Sequence, residues 1–230
     1  MPGRNNKNKS SKKSPSVKLK EEIERGINSS NYVRTYRQAK FVSLDFIADL
    51  FKSANPPKLQ LSIQADLEFL TVERPGLQIK DIKTDKLVDY VRKEASKLYA
   101  VLLLAGQSHR IVQLYNNDHR VTDRIFEKGE DSSDVPYCSL EYLQAMPQLS
   151  DVADVIFEKQ WCFPPVLRRE IHQKFPVVLF RFPFQSEPHP IGGGAWGQVY
   201  KVKVAEGHLE ANDKNYVNVS GLMADGFDNG

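Results

Sequence analysis

The strongest structural signal in this chain is a long apolar pattern between residues 85 and 105. Thr84 stands where a helix N-cap is expected, and Gly106 stands where a helix would end. Because residues 99–104 are apolar on every side, we predict that this helix lies at the centre of the core. The residues that recur at helical steps of three and four are Leu87, Val88, Val91, Ala95, Leu98, Tyr99, Leu102 and Ala105.

Further helical patterns lie on both sides of this segment. A short helix is predicted over residues 18–27, ending at Gly26, and a second over residues 32–52, stopped by the prolines that follow. Residues 59–83 combine a strand-like alternation with a helical pattern, so the sequence does not decide whether this segment forms a strand or a helix. Four more helices are predicted: residues 109–115, 121–128, 140–145, and 151–161 with Ser150 as the cap.

Length and composition indicate an ordinary globular protein. The chain has 230 residues, of which 40% are hydrophobic and 27% are charged, which suits one domain plus a fragment of another. It has no signal-peptide pattern and no run of about 18 apolar residues. We therefore expect no membrane span and an intracellular protein, cytoplasmic or nuclear. Cys138 and Cys162 are expected to be reduced, buried thiols, because two cysteines form no disulfide framework and show no metal-ligand spacing.

Positive charge is concentrated at the start of the chain. Removing the seven basic residues of positions 1–20 from the total of 32 leaves 25 against 29 acidic residues, a net charge of −4 for the remainder. Residues 1–16 are predicted to be a disordered basic arm. The favoured role for this arm is that of a solubilising tail. The alternatives are that it contacts nucleic acid or anionic lipid, or that it serves as a nuclear localisation signal. The arm has no aromatic residue for base stacking, so no nucleic-acid partner is expected beyond nonspecific contact.

Near the carboxyl end lies a glycine-rich run, residues 191–200. Glycines at 192, 194 and 197 followed by Val199 match the pattern G-x-G-x-x-G-x-V. The residues after it alternate like a strand, which predicts a strand, a glycine turn and a second strand instead of the strand-to-helix turn of a dinucleotide-binding fold. Glycine lets backbone amides approach a phosphate chain closely. An ordinary glycine-rich hairpin is the competing interpretation.

With these residues in view, the chain resembles the protein kinase family, and more narrowly the kinase-like proteins of filamentous fungi that carry a helical extension before the kinase domain. The kinase resemblance covers about residues 180–204, and residues 98–106 and 157–161 look like parts of the extension. The resemblance implies transfer of a phosphoryl group from Mg-bound ATP to serine or threonine. The cofactor-binding residues that it implies are Ile191, Gly192, Gly193, Gly194, Ala195, Trp196, Gly197 and Val199.

The other functional residues of that family are not identifiable in this sequence. The family needs a third-strand lysine, its glutamate partner, a catalytic-loop aspartate and asparagine, and D-F-G. Lys201 and Lys203 follow the loop too closely, Lys214 lacks the expected setting, and the strand-like residues 216–219 contain no lysine. We therefore predict no catalytic residue, no metal ligand and no phosphotransfer by this chain, which resembles a kinase truncated just after its glycine loop.

Other polar and aromatic residues are expected to have structural roles. The histidines at 109, 119, 172, 189 and 208 are scattered, and none falls into a metal-binding spacing. The charge run at residues 123–128 is predicted to be a solvated helix face. For Trp161 and Phe163, core packing is favoured over contact with a partner.

Together these patterns predict an α+β chain that is mainly α. We expect a disordered arm at 1–16, a compact helical extension domain at 17–174, a β-hairpin resembling the start of a kinase N-lobe at 175–204, and a disordered tail at 205–230. The predicted function is that of a kinase-like fragment that keeps an ATP-binding loop without a catalytic lobe. The alternative is a non-enzymatic helical module that binds a protein partner or regulates one.

Overall fold

A computed structural model describes residues 13–28, 41–52, 57–75, 82–115, 120–126, 137–164, 166–167, 182–184, 188–194, 197–204, 208 and 216–220. Within these ranges the chain forms eight α-helices followed by a three-stranded antiparallel sheet, which confirms a mainly helical α+β protein. The helices are α1 Pro15–Asn28, α2 Leu44–Lys52, α3 Lys58–Glu73, α4 Thr84–Glu94, α5 Ser96–Leu104, α6 Arg110–Tyr115, α7 Leu140–Ala145 and α8 Ala153–Gln160. The strands are β1 His189–Gly194, β2 Gly197–Lys203 and β3 Tyr216–Ser220.

Helix α5 is the centre of the helical body. All residues from Lys97 to Leu104 are buried, and α5 contacts α1, α2, α4, α6 and α8. Burial on all sides is what an apolar helix surface predicts, so this expectation is confirmed. Gly106 also ends the helix as predicted. Its φ is +71°, and the amides of Gly106 and Gln107 donate to the carbonyls of Leu103 and Leu102, at 3.0 and 2.8 Å.

The predicted single helix over residues 85–105 is wrong in one respect, because the chain breaks it at Ala95. Ala95 has φ −139° and ψ 32°, which separates α4 from α5. The carboxylate of Asp123 accepts hydrogen bonds from the backbone amides of Lys97 and Leu98, so a distant side chain caps a new helix start. Thr84 lies inside the first turn of α4 and is not its N-cap.

Other element boundaries differ from the sequence patterns for local reasons. The open segment 59–83 begins with helix α3, and α2 occupies only the last part of residues 32–52. Ser43 sets the start of α2, since its Oγ accepts a hydrogen bond from the Phe46 amide at 3.1 Å. Residues 32–40 lie outside the described ranges. Helices α6 and α7 match their predictions, and Ser139 caps α7 by accepting from the Tyr142 amide at 3.1 Å.

Two predicted helices are shorter than expected. The segment 121–128 contributes a 3₁₀ turn, Asp123–Phe126, whereas residues 127 and 128 lie outside the described ranges. Ser150 does not cap α8, because it lies in a second 3₁₀ turn, Ser150–Val152, that precedes that helix. At the other end of the body, α1 starts at Pro15, inside the arm predicted over residues 1–16.

Gly26 has a packing role and does not end α1. The helix continues to Asn28, and Gly26 is buried in its last turn. A Cβ at this position would lie 2.7 Å from the ring of Phe46, closer than real Cβ contacts. The glycine therefore lets α1 lie directly against the first turn of α2.

The described ranges contain no helix that is long and apolar enough to cross a membrane. Cys138 and Cys162 are buried and form no disulfide, as predicted. Trp161 and Phe163 are also buried. The indole of Trp161 packs against the rings of Phe157 and Tyr137, with centroids 5.7 and 5.2 Å away, so the interpretation as core residues is confirmed.

Candidate functional site

The glycine-rich run forms the predicted hairpin. Strands β1 and β2 are antiparallel, with Gly194 opposite Gly197 and Gly192 opposite Val199. The register shifts by one residue between Pro190 and Gly192, which marks a bulge. Ala195 and Trp196, at the tip, lie outside the described ranges. The two antiparallel strands that flank the turn are thus confirmed, and the other implied cofactor-binding residues lie in these strands.

The two faces of this hairpin differ. Val202 and Val204 are buried, and Tyr200 packs beside them. Lys201 and Lys203 on the alternate positions are exposed. Since strand side chains alternate between faces, Val199 shares the second face with the lysines, opposite Tyr200, Val202 and Val204. Cross-strand pairing adds Gly192, Gly194 and Gly197 to the Val199 face and leaves Gly193 on the other.

The protein's own structure does not require glycine at 192 or 194. A Cβ at either position would meet no atom of the described chain within 4 Å. Neither residue has the positive φ that favours glycine. Strand β1 is exposed along its whole length. The Val199 face of the hairpin therefore combines one apolar side chain with an open stretch of bare backbone.

A small apolar cluster supports the opposite face. Its buried members are Leu167, Phe184, Val202 and Val204, and Phe182 stacks on Phe184 with ring centroids 5.0 Å apart. The cluster is joined to the helical body at His208. The backbone carbonyl of His208 accepts from the Leu167 amide at 2.8 Å, and its buried ring meets the edge of Phe41, with centroids 5.7 Å apart.

Strand β3 completes the sheet. Tyr216–Ser220 pairs with β2, so β2 is the central strand of the three. This differs from the disordered tail predicted over residues 205–230, and the β-branched alternation of residues 216–219 accounts for it. The strand contains no lysine. Lys201 and Lys203 lie on β2, and Lys214 is outside the described ranges, so the described part of β3 holds no lysine of the kind that the kinase resemblance requires.

Sequence reasoning missed a polar group inside the helical body, which we call the Asp66 cluster: Ser16, Ser62, Asp66, Tyr99 and Ser108. All of its members are buried except Ser16, which is half-buried. The Asp66 carboxylate is 4% exposed and accepts hydrogen bonds from Ser108 Oγ at 2.7 Å, Tyr99 OH at 2.8 Å and Ser16 Oγ at 3.1 Å. Ser62 Oγ lies 2.8 Å from Tyr99 OH and 3.0 Å from Ser16 Oγ. The signal available in the sequence was an aspartate between Ile63 and Leu70 on the apolar face of α3.

Burial dominates the titration of this aspartate. It raises the pKa of Asp66 from 3.8 to about 6, and the hydrogen bonds from Ser108, Tyr99 and Ser16 only partly oppose the shift. The pKa of Tyr99 is raised well above its usual value by burial and by the neighbouring Asp66 charge. The cluster therefore surrounds the ionisable carboxyl of Asp66 with neutral hydroxyl groups in the protein interior.

The predicted solvated face at residues 123–128 is wrong for two residues. Asp123 caps α5, and burial raises the pKa of its carboxyl despite the amide hydrogen bonds. Phe126 is buried beneath the ammonium of Lys97, whose Nζ lies 4.8 Å from the ring centroid.

The histidines and acids of the described ranges form no group of three that could hold a metal ion. The ring of His109 packs on Phe69, and burial followed by the Arg110 charge lowers its pKa. Arg110 forms a two-pronged ion pair with Asp151, at 2.6 and 2.8 Å, and this hydrogen bonding lowers the pKa of Asp151. His189 is exposed on β1, and His119 and His172 lie outside the described ranges.

Comparison with protein-family models, with curated proteins and with solved structures finds no match for this chain. The hairpin and its glycine pattern are therefore the observations from which a function has to be argued.

Proposed function

We propose that the hairpin of β1 and β2 is a nucleotide-binding glycine loop of the protein kinase type, and that the chain is a fragment of a serine/threonine kinase-like protein. The observation that carries this proposal is the arrangement of Gly192, Gly194, Gly197 and Val199 on one face of a paired hairpin. Packing and backbone conformation leave two of these glycines unexplained, and a ligand lying against the strand would account for them.

The chemistry of this face suits ATP. Backbone amides freed from Cβ atoms can approach phosphate oxygens, and Val199 offers an apolar contact for the adenine ring. The exposed Ile191 precedes the glycines on β1 and adds apolar surface at the same end. Neither β1 nor β2 contains a carboxylate, so Mg²⁺ would be held by the phosphate oxygens of the nucleotide.

Calorimetric titration of the full chain with Mg-ATP tests this proposal. We expect Gly194→Asp to weaken binding by at least about tenfold, because the added carboxylate occupies the open face and repels phosphate. The matched control is Gly193→Asp. The kinase resemblance includes Gly193 in the loop, but the strand pairing places it on the face of β1 opposite Gly192, Gly194 and Val199, so the proposed ligand face does not include it. The affinity of this variant is expected to stay within about threefold of wild type.

Two outcomes would overturn the assignment. Equal loss of affinity in the Gly193 and Gly194 variants would mean that any substitution in β1 disrupts the hairpin. Absence of Mg-ATP binding by the wild-type chain would reject the nucleotide site itself.

Phosphotransfer by this chain is not expected. Transfer of a phosphoryl group depends on positioned charges that stabilise the transition state, and neither the described sheet nor the sequence supplies the lysine, aspartate and asparagine that do so in kinases. Incubation with labelled ATP, with and without a generic protein substrate, should leave both proteins unlabelled. Incorporation of label that persists after repurification, and that Gly194→Asp removes, would contradict this expectation.

A second candidate is a non-enzymatic module that acts through its helical body. The observation that favours it is the exposure of two large apolar side chains, Leu61 and Val72, on the side of α3 opposite the residues that the helix buries. Phe69, at the edge of this face, is also about half exposed, although its ring packs on His109. Exposed apolar surface of this kind is typical of proteins that bind other proteins. A wild-type chain that folds but binds no Mg-ATP would favour this function over the first.

A further inference from the structure

The Asp66 cluster contains more oxygen–oxygen contacts than its hydroxyl groups can fill. Ser16 Oγ has a long contact of 3.3 Å to the backbone carbonyl of Ser62. The side chains of the cluster also make five contacts with one another at hydrogen-bond distance: Ser16–Asp66, Ser108–Asp66, Tyr99–Asp66, Ser62–Tyr99 and Ser62–Ser16. Each hydroxyl has a single hydrogen to donate, so the four hydroxyls supply four. One contact therefore lacks a hydrogen whenever Asp66 is ionised.

The unfilled contact is one of the two made by Ser62. With a charged Asp66, the hydrogens of Ser16, Tyr99 and Ser108 all go to the carboxylate. Ser62 can then donate to Tyr99 or to Ser16 but not to both, at 2.8 and 3.0 Å respectively. The other pair of oxygens is left at hydrogen-bond distance with lone pairs facing each other, which is unfavourable in a buried site.

A proton on Asp66 removes this conflict. Asp66 Oδ2 then donates to Tyr99, Tyr99 to Ser62, Ser62 to Ser16, and Ser16 back to Asp66 Oδ1, which closes a ring in one direction. Ser108 donates to Oδ1 from outside the ring. All five contacts are filled, and no charge is buried.

We infer that Asp66 binds a proton in the folded helical body at mildly acidic pH, and that the hydroxyl ring closed by this proton is a latch that holds α1 against α3 and α5. Ser16 is the α1 member of the ring, Ser62 and Asp66 belong to α3, and Tyr99 belongs to α5. The buried Leu19 and Ile23 provide the apolar part of the same interface. When Asp66 loses this proton to solvent, the hydrogen bonds between α1 and its neighbours weaken, whereas the apolar contacts of Leu19 and Ile23 stay in place.

No counter-ion within the described chain replaces the proton, since no lysine, arginine or histidine there lies in ion-pair contact with Asp66. On α1, Lys20 pairs with Glu24 at 3.9 Å, and Glu22 pairs with Lys58 of α3 at 2.7 Å. On α3, Glu68 accepts from Gln64 at 3.0 Å.

The remaining titratable neighbours are on and after α5. Tyr99 stays neutral across the relevant range because its pKa is raised. His109, beside Ser108, has a lowered pKa, and Arg110 is paired with Asp151. The direction of the pH effect then follows from the pKa of Asp66, about 6 in the folded protein against 3.8 for an exposed aspartate. The stabilisation that the Asp66 proton gives to the folded protein is complete below the pKa of the exposed aspartate. It is lost as the pH rises through the pKa of Asp66 in the folded protein.

Hydrogen exchange of the α1 amides in the full chain tests the latch. After correction for intrinsic exchange, we expect the opening equilibrium of α1 to increase about tenfold between about pH 5 and about pH 7.5. In Asp66→Asn the amide NH₂ takes the place of the acid proton, so this variant should keep the pH 5 protection at both pH values. The control is Ser14→Ala, which removes a serine outside the ring whose Oγ accepts from the Val17 amide at the start of α1. Loss of this cap should lower α1 protection at both pH values and retain the wild-type pH dependence.

Three results would overturn the inference. The first is α1 protection in the wild-type chain that does not depend on pH. The second is an Asp66→Asn variant that folds but leaves the α1 amides unprotected at both pH values. The third is a pH-dependent change of equal size in the protection of the α8 amides, which would indicate global unfolding. If Asp66→Asn does not fold, a carbon-13 NMR titration of the Asp66 carboxyl in the wild-type chain still decides the matter. A midpoint near 6 is expected, and a midpoint at or below 3.8 would mean that the folded protein holds a carboxylate.

Discussion

Replacing Leu102 by alanine is expected to destabilise the protein by about 2 to 5 kcal/mol. Leu102 is 0% exposed in α5, which packs against α1, α2, α4, α6 and α8 and is hydrogen-bonded to α3 through Tyr99. Because neighbours surround α5 on every side, the cavity left by the missing atoms cannot close by a small shift of one helix. A lowered urea midpoint with an unchanged slope of the unfolding transition would show this loss.

The matched control for this substitution is Leu61→Ala on α3. Leu61 is 44% exposed, and leucine and alanine are both good helix formers, so its replacement should change the free energy of unfolding by only about 0.5 kcal/mol. Similar losses for Leu61 and Leu102 would contradict the central position of α5. They would indicate instead that α3 and α5 are buried to a similar extent in solution.

Replacing Asp123 by alanine is expected to destabilise the protein by about 2 to 3 kcal/mol. The carboxylate accepts from the amides of Lys97 and Leu98 at 2.9 and 2.8 Å and from Ser96 Oγ at 3.3 Å. Without it, the first turn of α5 keeps buried amides with no acceptor, which costs more than the loss of an exposed cap. Urea denaturation gives the change in stability.

Asp85→Ala is the matched control, since Asp85 is also an aspartate in the first turn of a helix but is exposed. Only its interaction with the α4 dipole is lost, so a change below about 1 kcal/mol is expected. An Asp123 variant no less stable than the Asp85 variant would mean that α5 starts without help from the Asp123 side chain. The break at Ala95 would then need another cause.

The glycine-rich hairpin was largely predictable from the sequence. Its glycine pattern, the alternation of Val199 to Val204 and the presence of two strands are all local features, and the structure pairs the strands as expected. The third strand was harder to assign, because residues 216–219 acquire their pairing only from the exposed edge of β2. The lysines that follow the loop also remain on β2, as their short spacing predicts.

The sequence alone determined which segments carry the apolar periodicity of helices and strands, where Gly106 ends α5, and which face of the hairpin bears Val199. Only the tertiary structure decided where the helix over residues 85–105 breaks and what surrounds Asp66. Asp123 reaches an amide 26 residues away, and Ser16 reaches a carboxylate 50 residues away. The apolar periodicity of a segment predicts which of its side chains are buried. It does not predict which distant group will meet each of them, because that depends on how the whole chain packs.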